Sequence, residues 1–298
     1  MKEMDMKYGI KPLSEEESDL LSEKLDAYLE TVVPSAPGTP AQEEIVLCVK
    51  DGEGQMIAGA IVNIYLWGRA VLSTLWAEEA YRREGLGSLL LREAEGVAAE
   101  KGCRLMTLAT LDFMARPFYE KHGYRVFTTN RDFPKGHEGW SMMKWLEGGL
   151  SEYVPSHNSA ASAYQVETGA KEEARILHRA LTRFNEENIP SEHDEIIISK
   201  KLVDEEGRLI AGISGMAGDW NACSIDVLWV EEAYRKQGLG SYLLREVEEE
   251  AKKYGTYIML SEAGDWNEGF FRKNGYTIRG TLANYPQGHK CYELEKRF

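Results

Sequence analysis

Residues 75–95 read LWAEEAYRREGLGSLLLREAE, and residues 228–248 read LWVEEAYRKQGLGSYLLREVE. In each stretch an apolar run leads into a loop holding two glycines, Gly85 and Gly87 or Gly238 and Gly240. The loop opens a segment whose leucines recur at helical spacing. Glycines there permit unusual backbone angles and let several amide N–H groups converge, with the positive end of the helix dipole behind them. Basic residues stand alongside: Arg82 and Arg83 in the first copy, Arg235 and Lys236 in the second. This combination suits a pyrophosphate. A nucleotide P-loop would need G-x-x-x-x-G-K-[ST], and that Lys is missing. A dinucleotide fingerprint would need a third glycine where Leu90 and Leu243 stand.

The likeness runs well beyond the loop. GQMIAG at 54–59 recurs as GRLIAG at 207–212, and Trp67 recurs as Trp220. Further on, FYEKHGY at 118–124 recurs as FFRKNGY at 270–276, and PKGH at 134–137 as PQGH at 286–289, one residue closer. Solenoid repeats have periods of about 20–50 residues, far shorter than this one. A duplicated domain is the reading that fits. The expected division is a first copy at 1–147, a linker at 148–163 and a second copy at 164–298. The linker, GGLSEYVPSHNSAASA, is rich in Ser, Gly and Ala and lacks apolar periodicity.

The elements repeat as well. Ser14-Glu15-Glu16-Glu17 has capping-box spacing, and Leu21, Leu25 and Tyr28 follow on one helical face. In the second copy Leu177, Ala180, Leu181 and Phe184 form the equivalent face. Strands at 45–49 and 56–65 flank the turn Asp51-Gly52-Glu53-Gly54. Their counterparts are 196–203 and 209–216, around Asp204-Glu205-Glu206-Gly207. A third strand (71–77; 224–230) precedes the glycine loop. The helix after the loop turns Leu90, Ala94 and Val97 inward, or Leu243, Val247 and Ala251. A strand, a short helix around Phe118 or Phe270 and a final hairpin complete each copy. The fold class is therefore α/β (α+β): two tandem domains, each a mixed, mostly antiparallel sheet flanked by helices.

Composition narrows the function. The 298 residues carry a net charge of −14, which argues against nucleic acid or an anionic membrane as the main partner, since both demand a basic footprint. An acidic surface is compatible with a cationic amine. Hydrophobic residues make up 43% and charged residues 28%, as in soluble domains with real cores. No apolar run nears the roughly 18 residues that span a bilayer, and Met1-Lys2-Glu3-Met4-Asp5 is no signal peptide. A cytoplasmic location is expected. Cys48, Cys103, Cys223 and Cys291 are scattered singly, without zinc-ligand or disulfide spacing, and read as small buried apolar residues.

The string R-x-x-G-x-G, after a strand ending L-W-[AV] and before an amphipathic helix, resembles the acetyl-CoA loop of the GNAT superfamily of N-acetyltransferases. It occurs twice, each time followed at family-like spacing by F-[YF]-x-K-x-G-Y or its close variant, so the resemblance covers nearly all of both copies. It implies two tandem GNAT domains with acetyl-CoA as co-substrate and no metal. The pyrophosphate would lie on the loop residues Arg82, Arg83, Glu84, Gly85, Leu86, Gly87 and Ser88, and in the second copy on Arg235, Lys236, Gln237, Gly238, Leu239, Gly240 and Ser241. Pantetheine would run along Leu75, Trp76 and Ala77, or Leu228, Trp229 and Val230, pairing with the strand edge as an added strand would. Trp76 and Trp229 are equally well explained as core packing. A monomer of pseudo-dimeric halves, or a homodimer, is expected.

Acetyl transfer has two proton problems. An alkylamine, with a pKa near about 10, must lose a proton to attack, and the departing thiolate must gain one or be stabilised. A tyrosine, a neutral hydroxyl donor at pH 7, suits the second task. In the GNAT pattern it sits in the short helix before Gly-Tyr, where the first copy has Tyr119 and the second has Phe271. The resemblance thus implies a catalytic first copy, with Tyr119 as general acid, and a degenerate or specialised second. Where the family often reads N-x-x-A-x-x-[LF]-Y, this chain has Asp112 in place of Asn, and the second copy has lost Asn, Ala and Tyr. Asp226 is the candidate base, although its first-copy counterpart is Ser73 and a solvated strand carboxylate explains it as well. His137 and His289, after P-x-G, read as a shared turn constraint or a substrate rim. The expected function is an acetyl-CoA-dependent N-acetyltransferase acting on a primary amine of a small molecule or peptide. The alternative is a non-catalytic acyl-CoA-binding module with a structural or regulatory second half.

Overall fold

A computed structural model describes residues 8–35, 42–146, 160–191 and 194–298. Along the chain run β1 (Gly9–Lys11), α1 (Glu15–Val32), β2 (Glu43–Lys50), β3 (Met56–Tyr65), β4 (Arg69–Ala77), α2 (Leu86–Glu100), β5 (Leu105–Leu111), α3 (Arg116–Lys121), β6 (Arg125–Arg131) and β7 (Glu138–Trp145). There follow β8 (Glu167–Thr168), α4 (Lys171–Asn188), β9 (Ile196–Val203), β10 (Leu209–Ala217), β11 (Ala222–Val230), α5 (Leu239–Lys253), β12 (Ile258–Gly264), α6 (Glu268–Lys273), β13 (Thr277–Ala283) and β14 (Lys290–Arg297). The expected elements are present in both copies, with the capping box of Ser14 and Glu17 formed.

The compact units do not follow the two copies. One unit comprises residues 35–190, and the other joins 1–34 to 191–298. The boundary expected at 147–164 therefore runs inside a unit. In the 35–190 unit the strand order is β6-β7-β5-β4-β3-β2-β8; in the other it is β1-β9-β10-β11-β12-β14-β13. All pairings within these orders are antiparallel except β4 with β5 and β11 with β12.

The units differ from the copies because each copy's leading strand and helix serve the other copy's sheet. α1 packs on β10 and β11, and β1 pairs with β9. α4 packs on β2, β3 and β4, and β8 pairs with β2. Leu177 of α4 and Leu21 of α1 are both fully buried, and each seats on a glycine. A Cβ on Gly59 would come within 2.8 Å of Leu177, and one on Gly212 within 2.2 Å of Leu21. Charge pairs accompany this seating. Glu17 pairs with Lys201, and Glu173, at the same position of α4, pairs with Lys50 at 3.1 Å. The residue corresponding to Lys201 in the first copy is Cys48, and the one corresponding to Lys50 in the second is Val203. Each sheet thus offers one lysine, at a different strand position, to the glutamate of the helix it receives.

The opposite face of each sheet carries the helix that follows the glycine loop. Leu86, Leu90, Leu91, Ala94 and Ala98 of α2 pack with Leu47, Val49, Ala60 and Val62. Leu239, Leu243, Val247 and Ala251 of α5 do the same with Ile198, Ala211 and Ile213. Covered on both faces, β3 is buried along most of its length. Four buried cysteines pack as small apolar residues, and burial pushes the Cys103 thiol up to about 11 and that of Cys223 to about 12. Most of the expected linker lies outside the described residues. Its end forms a helical turn at Ala160–Ala163, with Ala161 buried and its N–H donating to the Glu84 carbonyl at 3.0 Å.

Candidate active site

Each sheet opens next to the glycine loop. β4 pairs with β5 only from Arg69 to Val71, and β11 with β12 only from Ala222 to Ser224. A β-bulge lies at the point of separation in both β4 and β11. In the pairing of β3 with β4 Ser73 is the extra residue, and in that of β10 with β11 it is Asp226. Such bulges kink a strand and re-aim a side chain. The gap left between the parting strands becomes a cavity in each unit: about 650 Å³ in the 35–190 unit and about 450 Å³ in the other.

The loop forms one end of each cavity. Arg83 and Gly85 adopt left-handed backbone (φ 68° and 95°), as do Lys236 and Gly238 (φ 62° and 85°). Gly85 and Gly238 are the N-caps of α2 and α5 and offer no side chain to the first turn, so the helix-end N–H groups are free to meet an anion. Arg82, Arg83, Gly85, Leu86, Gly87 and Ser88 line the first cavity, with Leu75, Trp76 and Ala77 along the strand. Arg235, Lys236, Gly238, Leu239, Gly240 and Ser241 line the second, with Leu228, Trp229 and Val230. Glu84 and Gln237 are outside both linings. Glu84 takes the Ala161 amide through its carbonyl, and the Gln237 side chain accepts from the Tyr8 hydroxyl at 3.4 Å.

Arg82 and Arg235 do more than lend charge. Nε of Arg82 donates to the Ala77 carbonyl at 3.0 Å, and its guanidinium lies 4.8 Å from the Trp76 ring and 6.0 Å from Phe184. Arg235 bonds the Val230 carbonyl at 2.9 Å, 4.7 Å from Trp229 and 5.0 Å from Tyr28. Both tryptophans thus serve in packing and in the cavity wall. In each unit a cation–aromatic stack ties the loop to the helix contributed by the other copy. Leu181 and Phe184 of α4 line the first cavity, and Leu25 and Tyr28 of α1 the second.

Tyr119 lies half-buried in the first cavity, with Thr110, Phe113, Met114 and Phe118. Burial raises its hydroxyl to a pKa of about 12, so it keeps its proton at neutral pH. A cross-tie fixes its helix. The His122 Nδ1–H donates to the Phe118 carbonyl at 2.7 Å, leaving Nε2 to accept from the Ser88 hydroxyl at 3.0 Å. His122 thereby links the tyrosine's helix to the loop, a contact that sequence reasoning missed. Its second-copy counterpart, Asn274, bonds only back to the Phe270 carbonyl among its side-chain hydrogen bonds, at 2.8 Å.

The second cavity has different chemistry. Phe271 is buried, and Asp226 and Glu262 line the wall. In the first copy these two positions are held by Ser73 and Ala109. The surrounding protein raises the pKa of Asp226 by desolvation, against a 2.8 Å bond from the Ser224 hydroxyl that lowers it. His137 and His289 sit in matched turns. Each Nδ1 meets a carboxylate, Asp112 at 2.9 Å or Asp265 at 3.0 Å, after a cis proline at Pro134 or Pro286. Desolvation of Asp112 is outweighed by bonds from His137 and the Glu138 amide, which hold its pKa down. Among the described residues no cluster of His, Cys, Asp or Glu could hold a metal, and no helix is long and apolar enough to cross a membrane.

The family model for the acetyltransferase (GNAT) family matches residues 11–124 and again 161–276. Together these spans cover most of the chain, and the protein belongs to that family as a tandem duplication of its domain. One relative is a blasticidin-S acetyltransferase of Streptomyces morookaense, 34% identical over 113 residues, covering 36% of this chain and 83% of that protein. Another is the uncharacterized N-acetyltransferase YjcF of Bacillus subtilis, 30% identical over 127 residues, covering 39% of this chain and 86% of the relative. Among solved structures, an acetyltransferase of Bacillus cereus is 35% identical, with a TM-score of 0.42, covering 46% of this chain and 96% of that one.

Proposed function

We propose that the protein is an acetyl-CoA-dependent N-acetyltransferase whose working site is the cavity of the 35–190 unit. The observation that carries this reading is the coincidence, in one cavity, of a helix end open to an anion and a protonated tyrosine hydroxyl whose pKa burial raises further, to about 12. Left-handed backbone at Arg83 and Gly85 leaves the first amides of α2 free for the pyrophosphate of acetyl-CoA, with no side chain at Gly85 to fill the space. The unpaired edge of β4, from Leu72 to Ala77, suits the pantetheine amides.

Bound there, acetyl-CoA would supply an activated thioester carbonyl. Trp76, Phe113 and Phe184 exclude water from the reacting amine and orient it. Tyr119 holds a proton for the departing sulfur, and the His122–Ser88 tie fixes that hydroxyl relative to the loop. The acceptor is a primary amine of a small molecule or peptide. The blasticidin-S acetyltransferase likeness favours a small molecule.

For the second unit we propose acyl-CoA binding without Tyr-assisted transfer, because its loop is intact while Phe271 stands in the tyrosine's place. Asp226 is then the candidate base or cation contact of that cavity. Titrating acetyl-CoA by calorimetry and following thiol release with a panel of amines tests the whole reading. Micromolar-range binding and saturable thiol release are expected. Absence of binding by any acyl-CoA would overturn it.

A further inference from the structure

Once the glycine loop is set aside for the co-substrate, the walls of the first cavity left to the acceptor are Trp76, Phe113, Met114, Phe118, Leu181 and Phe184. They are aromatic or aliphatic, and the hydroxyls of Ser73 and Thr110 join this part of the wall without bringing a charge. The charged lining residues are Arg82 and Arg83, with the Arg82 guanidinium stacked directly on Trp76. Among the described residues none of the lining is a carboxylate or an imidazole. His137 packs edge-on against Phe113 at 5.9 Å with Nδ1 on Asp112, and does not line the cavity. The hydroxyls of Tyr81 and Tyr119 are the other titratable groups of the wall.

An alkylammonium would fare badly here. The aromatic faces that could attract a cation already serve the Arg82 guanidinium, 4.8 Å from Trp76 and 6.0 Å from Phe184, so an ammonium would give up its hydration to meet a charge of its own sign with no carboxylate in the described lining to compensate. With a pKa near about 10, only about one molecule in a thousand carries the neutral nitrogen at pH 7. An arylamine has neither handicap. Its nitrogen lone pair is delocalised into the ring, so it is neutral at pH 7, and its flat ring matches the aromatic walls, where offset or edge-on contacts are favourable.

We infer that the acceptor of the first site is a weakly basic aromatic amine, bound neutral between Trp76, Phe113 and Phe184. This rests on the acetyltransferase reading above. The nitrogen forms a bond to the acetyl carbon as the carbon–sulfur bond breaks. Tyr119 gives its proton to the sulfur, and the proton shed by the nitrogen returns to Tyr119 through solvent, yielding the aryl acetamide and the CoA thiol.

The test is thiol release by the full chain at pH 7 with acetyl-CoA and either a substituted aniline, phenethylamine or spermidine, in the parent and in Tyr119→Phe, Phe184→Ala and Phe184→Glu. The aniline is expected to have a kcat/KM at least tenfold above spermidine, and its rate is expected to collapse in Tyr119→Phe. Phe184→Ala should raise its KM about tenfold, with a smaller fall in kcat from the lost orientation. Phe184→Glu should invert the preference toward phenethylamine. Spermidine or phenethylamine equal to or better than the aniline, with a rate lost in Tyr119→Phe, would overturn the inference and leave the acetyltransferase reading intact. Cationic turnover indifferent to Tyr119→Phe, with none for the aniline, would place transfer in the other cavity and overturn the inference too. No thiol release with any amine, despite acetyl-CoA binding, would overturn both readings.

Discussion

The two cavities share a loop, a bulge and a stacked arginine, yet their walls carry different polar groups. The first has a buried hydroxyl and no acidic group in its described lining; the second has two carboxylates and no hydroxyl at the tyrosine position. The difference extends behind the walls. His122 ties the short helix of Tyr119 to the loop, and among the described residues Asn274 makes no such tie for the helix of Phe271. The comparison teaches that duplication preserved the glycine loop, whose shape is mostly backbone, and released the side chains that face it.

The largest effect expected from breaking the comparison is on stability. Leu177→Ala should cost the 35–190 unit about 2–5 kcal/mol, and Leu21→Ala should cost the other unit a similar amount, read as separate shifts in urea unfolding followed by site-specific probes. If Leu177→Ala weakened instead the unit containing residues 191–298, the assignment of α4 would be wrong. Next, Tyr119→Phe makes the first site resemble the second and should lower kcat by roughly 100-fold, with acetyl-CoA affinity unchanged; the change in the other direction, Phe271→Tyr, should leave that kcat as it was. Because burial holds Tyr119 near 12, the parent should lose no activity on the alkaline side until the pH approaches that value; an alkaline limb several units lower would point to another acid.

Smaller effects follow at the loops. Gly85→Ala and Gly238→Ala each force a side chain into left-handed backbone at about 1–2 kcal/mol, so each should weaken acetyl-CoA about tenfold at its own cavity. Calorimetry would resolve two sites in the parent and one weakened site in each variant; a single site lost only in Gly85→Ala would make the second cavity a non-binder. Smallest is the pair Lys50→Val and Lys201→Cys, which gives each sheet the other's residue. Partly exposed ion pairs contribute about 0–1 kcal/mol, so the melting temperature should fall by only a few degrees.

Most of each domain was legible in the sequence. Repeated apolar strands and the glycine loop defined the element order, the Ser14–Glu17 spacing defined a helix start, and the loss of a hydroxyl at Phe271 separated the two sites. The membership of the units was not legible. The faces Leu21–Leu25–Tyr28 and Leu177–Leu181–Phe184 each suit either of two nearly identical sheets, since both sheets offer a glycine, Gly59 or Gly212, to receive a leucine. Even the charge pairs, Glu17 with Lys201 and Glu173 with Lys50, suit both choices, because the two glutamates hold the same helix position and each sheet offers one lysine. The carboxylate Glu262 and the imidazole of His122 were missed for a related reason: each gains its meaning from a neighbour that the strand separation or the short helix brings to it.

The crossed placement of α1 also has a timetable. During synthesis α1 emerges first, but β10 and β11 follow only after residues 35–190 have been made. At about 5–20 residues per second, the apolar face of α1 waits on the order of ten seconds or more for its own sheet, while β3 and β4, which resemble that sheet closely, are already on offer. The nascent chain thus meets the wrong docking partner before the right one, and the correct pairing must win by exchange or by patience.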